Sequence, residues 1–186
     1  MNHAHSKIIF DIEADGLNPT VVWCIVAKEL DGPTHKFDNT QIEEGVKFLE
    51  AADVLIGHNI IGYDIPVLEK LHGAKLTKNR EDTLVMSRLF NPVRENGHSL
   101  KTWGYRVNCA KQEQPENFDE YTPAMLEYCV QDVALNELVY KHLLNEGQSF
   151  SPECIELEHK VADIMKEQER TGFYFDSQQA MTLLAE

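Results

Sequence analysis

The chain has 186 residues, 42% of them hydrophobic, which suits one domain and part of another and excludes global disorder. A net charge of −14 argues against a protein that coats nucleic acid nonspecifically. No apolar run approaches membrane-spanning length and no signal peptide precedes the first apolar segment, so a cytoplasmic protein without a membrane partner is expected.

Met1 to Ser6, MNHAHS, reads as a disordered lead or tag remnant. Ile8, Ile9 and Phe10 open a buried strand that runs to Glu13. Thr20 to Leu30 reads as a second strand, and His35 to Phe37 as a short third one after the Asp31-Gly32 turn, which makes an antiparallel meander. Thr40 with Glu43 has the form of a capping box for a helix ending near Ala52. Val54 to Gly57 is another buried strand, paired in parallel through the helical crossover. Asp64 stands where a helix cap would, with Pro66 in the first turn.

Thr83 to Phe90 is ambiguous, and His98 to Val107 reads as a helix around Trp103. Cys109 to Tyr121 is a polar loop. Thr122-Pro123 starts a long helix that Gly147 stops, and Ser151-Pro152 starts another ended by Gly172. Asp176 starts a third. The four cysteines form no C-x-x-C pair and read as free thiols in a reducing compartment. Pro66 to Lys111 holds nine Lys or Arg against four Asp or Glu, in a chain otherwise strongly acidic. That bias is either ordinary surface scatter or a basic rim beside an acidic pocket, as a phosphodiester substrate would require.

Three short stretches carry chemistry. Asp11 and Glu13 lie two apart on the first strand, so both carboxylates project from one face and repel unless cations neutralise them. Alternatively, they are an acidic strand end in water. Gly57 to Leu68, GHNIIGYDIPVL, places His58, Asn59, Tyr63 and Asp64 at a second strand end, where open α/β sheets put their sites. His58 reads first as a hydrogen-bonded, half-buried histidine, and Asn59 either ties the loop or touches substrate. Tyr128 and Asp132, in YCVQD, lie four apart on one helix face.

The order D-x-E, N-x-x-x-Y-D, Y-x-x-x-D resembles the three-motif signature of the DEDD exonucleases, in the branch with a tyrosine in the third motif. That resemblance implies a ribonuclease-H-like (DnaQ-like) α/β fold, a mixed five-stranded sheet flanked by helices. Glu81 to Leu89 and His98 to Val107 look like the segments between the second and third motifs in family-A DNA polymerases of T-odd-type bacteriophages. Ile155 to Asp176 resembles the entry into the polymerase portion of those enzymes. The resemblance is weakest from Asn108 to Glu120, and no polymerase motif is reached. It implies an exonuclease domain over residues 7–150 and the start of a polymerase portion over 151–186, in the cytoplasm of an infected bacterium if phage-encoded.

By the same resemblance, Asp11, Glu13, Asp64 and Asp132 hold two ions, Mg²⁺ or Mn²⁺, with Asp11 bridging, and Tyr128 orients the attacking water. Ala14, Asp15, Gly16 and Leu17, with His58, Asn59 and Tyr63, would contact the 3' end of a single-stranded DNA, with Leu17 packing on the terminal base. The implied product is a nucleoside monophosphate, and the implied role is proofreading beside a polymerase domain. An RNA-trimming nuclease of the same branch is the alternative. An inactive scaffold that binds nucleic acid is the alternative of another class.

Overall fold

The structure, a computed structural model, describes residues 6–77, 79–110 and 117–185. Five strands, β1 (Lys7–Ala14), β2 (Val22–Glu29), β3 (Thr34–Phe37), β4 (Val54–Gly57) and β5 (Arg80–Asp82), form one sheet in the order β3-β2-β1-β4-β5. β1 pairs antiparallel with β2 and parallel with β4, and β5 extends the sheet in parallel beyond β4. The expected meander and crossover are both present. β5 escaped sequence reading because its three residues, Arg-Glu-Asp, have no apolar alternation.

Alternation along β1 divides the core. Ile8, Phe10 and Ile12 face a layer formed with α1 (Ile42–Glu50) and α2 (Asp64–His72), through Val46, Leu49, Ile65 and Leu68. Ile9 faces the opposite layer, with α3 (Thr83–Phe90), α4 (Leu100–Arg106) and α5 (Pro123–Glu146), through Met86, Trp103, Val133 and Tyr140. A strand turns successive side chains to opposite faces, so Asp11 and Glu13 share the Ile9 face, beneath α5. Burying apolar side chains of this size contributes about 1.5–3 kcal/mol each, which fixes the strand register and with it the direction of both carboxylates.

Two expected caps are not formed. Thr40 gives its amide and hydroxyl to Asp38 at 2.9 and 2.6 Å, and α1 begins after Gln41 with no side-chain cap. A short Asp side chain closes this local turn more readily than a distant Glu completes a capping box. Asp64 is the first residue of α2, and its carboxylate accepts the Ile12 amide of β1 across the sheet at 3.2 Å. The caps at Thr122 and Ser151 do form, each on the third backbone N–H beyond it, and Ser99 caps α4 in the same way. Thr83 to Phe90 resolves as helix, capped by Asp82.

Three members of the basic stretch serve the fold. Arg94 and Arg106 place their guanidinium carbons 4.5 and 5.2 Å from the centre of the buried Trp103 ring. Arg94 also pairs with Glu146 at 2.7 Å, and Arg80 with Asp163 at 2.7 Å. Residues 1–5 of the expected lead lie outside the described residues. Ser6, its last residue, is hydrogen-bonded to Asp53 at 2.7 Å. No described helix is long and apolar enough to cross a membrane.

α6 (Pro152–Thr171) packs on α3 and β5, whereas α7 (Ser177–Ala185) has no buried residue. His159 of α6 accepts the Asp82 amide on Nε2 at 2.7 Å, and its Nδ1 lies 2.7 Å from the Ile155 carbonyl. One nitrogen accepts and the other donates, so the ring is the neutral tautomer.

Candidate active site

The site is assembled at the carboxyl end of β1. The register shift between Glu13 and Ala14 ends the regular pairing with β2 where the chain must turn away. Above it, α5 turns Tyr128, Cys129 and Asp132 inward, all three buried. The Cys129 sulfur lies 3.4 Å from the Asp11 carbonyl and 3.6 Å from Asp11 Oδ2. Ligand atoms of Asp11, Glu13 and Cys129 all fall within 4.8 Å of one another. Asp132 is one turn further along the same helix face. From the other layer, the Asp64 carboxylate meets the Ile12 amide, between the two acids of β1. β1 and α5 thus bring Asp11, Glu13 and Cys129 together, with Asp64 reaching the Ile12 amide from the other layer and Asp132 buried one turn along α5.

The second-motif loop is held by a residue the sequence reading passed over. Asp82 is 1% exposed, and its carboxylate accepts the Asn59, Ile61 and Leu84 amides at 2.9, 3.1 and 2.9 Å. One side chain therefore caps α3 and fixes the loop before Asp64. Asn59 has a φ of 69°, and a Cβ added at Gly62 would stand 2.3 Å from the Asn59 side-chain oxygen. Asn59 ties the loop, and Gly62 is needed for that close approach. His58 is half-buried, as expected, with Nδ1 2.9 Å from the Thr83 hydroxyl, which lies 2.8 Å from Asn136 Oδ1.

Tyr63 donates its hydroxyl to the Gly16 carbonyl at 2.6 Å and so joins the second motif to the loop after β1. In that loop Asp15 accepts the Thr20 amide and hydroxyl at 2.8 and 2.6 Å, which shapes the turn. Ala14 is buried, and Leu17 is 90% exposed at the loop tip. Cys129, Asp82 and His159 are the residues sequence reasoning missed. Their only local signals were a cysteine inside YCVQD and an aspartate directly before a helix.

Burial raises Asp64 to about 7; the Ile12 amide works against that shift and Asp82 adds to it. Burial raises the Tyr63 phenol to about 12, with Asp64 the first of the nearby charges contributing. Burial also pushes the Cys129 thiol well above its ordinary range, helped by its Cys24 neighbour and by Asp11. The donor set fits a divalent cation. Asp11 and Glu13 converge closely enough to share one ion, and their hard oxygens suit Mg²⁺ or Mn²⁺.

The mixed sheet and its flanking helices define a ribonuclease-H-like (DnaQ-like) α/β fold. The chain is similar in sequence to the DNA polymerases of phages T3 and T7. It is 28% identical to the DNA-directed DNA polymerase of Enterobacteria phage T3 over 96% of this chain and 35% of that one. For Escherichia phage T7 the identity is 27% with the same coverage. The chain therefore spans about a third of the length of the polymerases it matches. Among solved structures, Brucella melitensis NrnC with bound Mg²⁺ superposes with a TM-score of 0.70 at 19% identity, covering 92% of this chain and 88% of that one. Escherichia coli RNase D, an exoribonuclease, gives a TM-score of 0.62 at 15% identity, covering 84% and 45%. No protein-family model matches the chain.

Proposed function

We propose that the chain is a metal-dependent 3'-5' exonuclease that removes nucleoside monophosphates from the end of single-stranded or frayed DNA, as the proofreading part of a phage-type DNA polymerase. What supports this reading is the close approach of Asp11 and Glu13 at the end of β1, with the Asp64 carboxylate on the Ile12 amide between them and Tyr128 and Asp132 buried on α5. Bound Mg²⁺ or Mn²⁺ would supply an activated water and neutralise charge developing on the phosphate. Asp11, Glu13 and Asp132 would hold the ions directly, with Asp64 supporting from the opposite layer. Tyr128, four residues before Asp132, would orient the attacking water through its hydroxyl. The exposed Leu17 would pack on the terminal base, with the loop beneath it fixed by Tyr63 and Asp15. Asn59, tied to Asp82, and His58, tied to Thr83, would shape the floor of the substrate cleft.

An end-labelled single strand incubated with Mg²⁺ should shorten stepwise from its 3' end, and excess chelator should stop it. Undiminished cutting in chelator would overturn the metal mechanism. RNA trimming is the second reading, favoured by the likeness to RNase D. DNA and RNA strands of one sequence, compared at equal concentration, separate the two. The relation to phage polymerases supports DNA.

A further inference from the structure

We propose that Cys129 makes this carboxylate site a trap for thiophilic cations: a zinc-class ion is held by the Cys129 sulfur together with Asp11 and Glu13, in place of the hard ions that support hydrolysis. The inference rests on the metal reading of that same site.

A zinc ion bonds a thiolate at about 2.3 Å and a carboxylate oxygen at about 2.1 Å, so tetrahedral neighbours stand roughly 3.6 Å apart. The Cys129 sulfur stands 3.6 Å from Asp11 Oδ2. Glu13 completes a group whose three donor atoms all lie within 4.8 Å of one another, close enough to meet on one ion. The sulfur is held there by architecture, since Cys129 is fully buried on the inner face of α5 against β1. A hard ion gains little from a protonated thiol and leaves it aside. A thiophilic ion displaces the proton, so that one sulfur–metal bond forms as one S–H bond breaks and one proton goes to solvent. The same position thus leaves Mg²⁺ coordination to oxygen alone and gives zinc an additional, stronger ligand.

Co²⁺ serves as the spectroscopic probe, because a thiolate ligand gives it a sulfur-to-metal charge-transfer band in the near-ultraviolet. Titrating the whole chain with Co²⁺ should produce that band, and added Zn²⁺ should abolish it. Cys129→Ser should remove the band, whereas Cys24→Ser, which alters the neighbouring thiol, should keep it. The zinc concentration that halves Mg²⁺-supported hydrolysis should rise at least about tenfold in Cys129→Ser, the scale of effect seen when a metal site loses a supporting group. X-ray absorption on the zinc-loaded unmodified chain needs no variant, and should show one sulfur at about 2.3 Å. A zinc shell without sulfur, or a cobalt band that survives Cys129→Ser, overturns the proposal. The band does not depend on turnover, so absence of hydrolysis would count against the nuclease reading alone.

Discussion

At the scale of single residues, the site separates groups that would hold ions from groups that hold the site. Asp11→Ala or Asp132→Ala should nearly abolish hydrolysis in a single-turnover assay. Tyr128→Phe should cost less, on the order of 10²–10⁴-fold at most, because only a positioning hydroxyl is lost. If Tyr128→Phe were as damaging as Asp11→Ala, that division of roles would be wrong. Asp82 belongs to the second group. Asp82→Ala leaves the buried Ile61 amide and the part-buried amides of Asn59 and Leu84 without their acceptor and should destabilise the chain by about 2 kcal/mol in urea unfolding. The motif residues were legible in the sequence because their spacing alone places them on one strand face, one strand end and one helix face. Asp82 was not, because nothing local says that a carboxylate will reach back to the amides of a loop more than twenty residues earlier.

At the scale of elements, the long α5 is joined to the sheet by Tyr140, Lys7 of β1 and Glu81 of β5. Lys7 Nζ lies 2.9 Å from the Tyr140 hydroxyl and 2.8 Å from Glu81, and the Tyr140 hydroxyl also donates to Glu81. Burial and the Glu81 bond raise the Tyr140 phenol to about 12, against an ordinary value of 10.0. The folded chain therefore holds this proton more tightly than the unfolded chain does. Its stabilising effect is complete below about pH 10 and is lost as pH rises towards 12. Burial lowers Lys7, but its bonds to Glu81 and Tyr140 outweigh that and raise it, so its contribution has the same sign. Urea midpoints measured across that range should fall steeply for the natural chain and more shallowly for Tyr140→Phe. Equal slopes would remove Tyr140 from the account. Strands and helices with apolar periodicity were readable, as were the caps at Thr122 and Ser151. β5 and the start of α1 were not, because one depends on an edge pairing and the other on an aspartate turn.

At the scale of the whole molecule, a cation that binds only the folded chain should also stabilise it by mass action. Mg²⁺ or Mn²⁺ should raise the melting temperature, and Asp11→Ala should lose most of that rise. A melting curve unaffected by either ion would argue that the acidic residues do not converge as described. Beyond Gly172 the chain presents Phe173, Tyr174, Phe175, Met181, Leu183 and Leu184 to solvent, and α7 buries nothing. A helix of nine residues is marginal without an apolar partner. Limited proteolysis should therefore cut first after Gly172 and leave an active core. A tail that resisted protease as well as the sheet does would end the view that these residues belong with a neighbouring domain.

The Asp82 junction has a consequence in time as well as in space. Surface loops ordinarily exchange their amide hydrogens quickly, yet the protons of Asn59 and Ile61 are anchored to a buried carboxylate whose own backbone is held by His159. Exchange at either amide requires its hydrogen bond to Asp82 to break, and that anchor is shared by α3, β5 and α6. Hydrogen exchange at Asn59, Ile61, Asp82 and Leu84 should therefore proceed at one common slow rate, as a single opening event. A His159→Ala chain should accelerate all four together, which would make a residue of α6 the clock of the loop before Asp64.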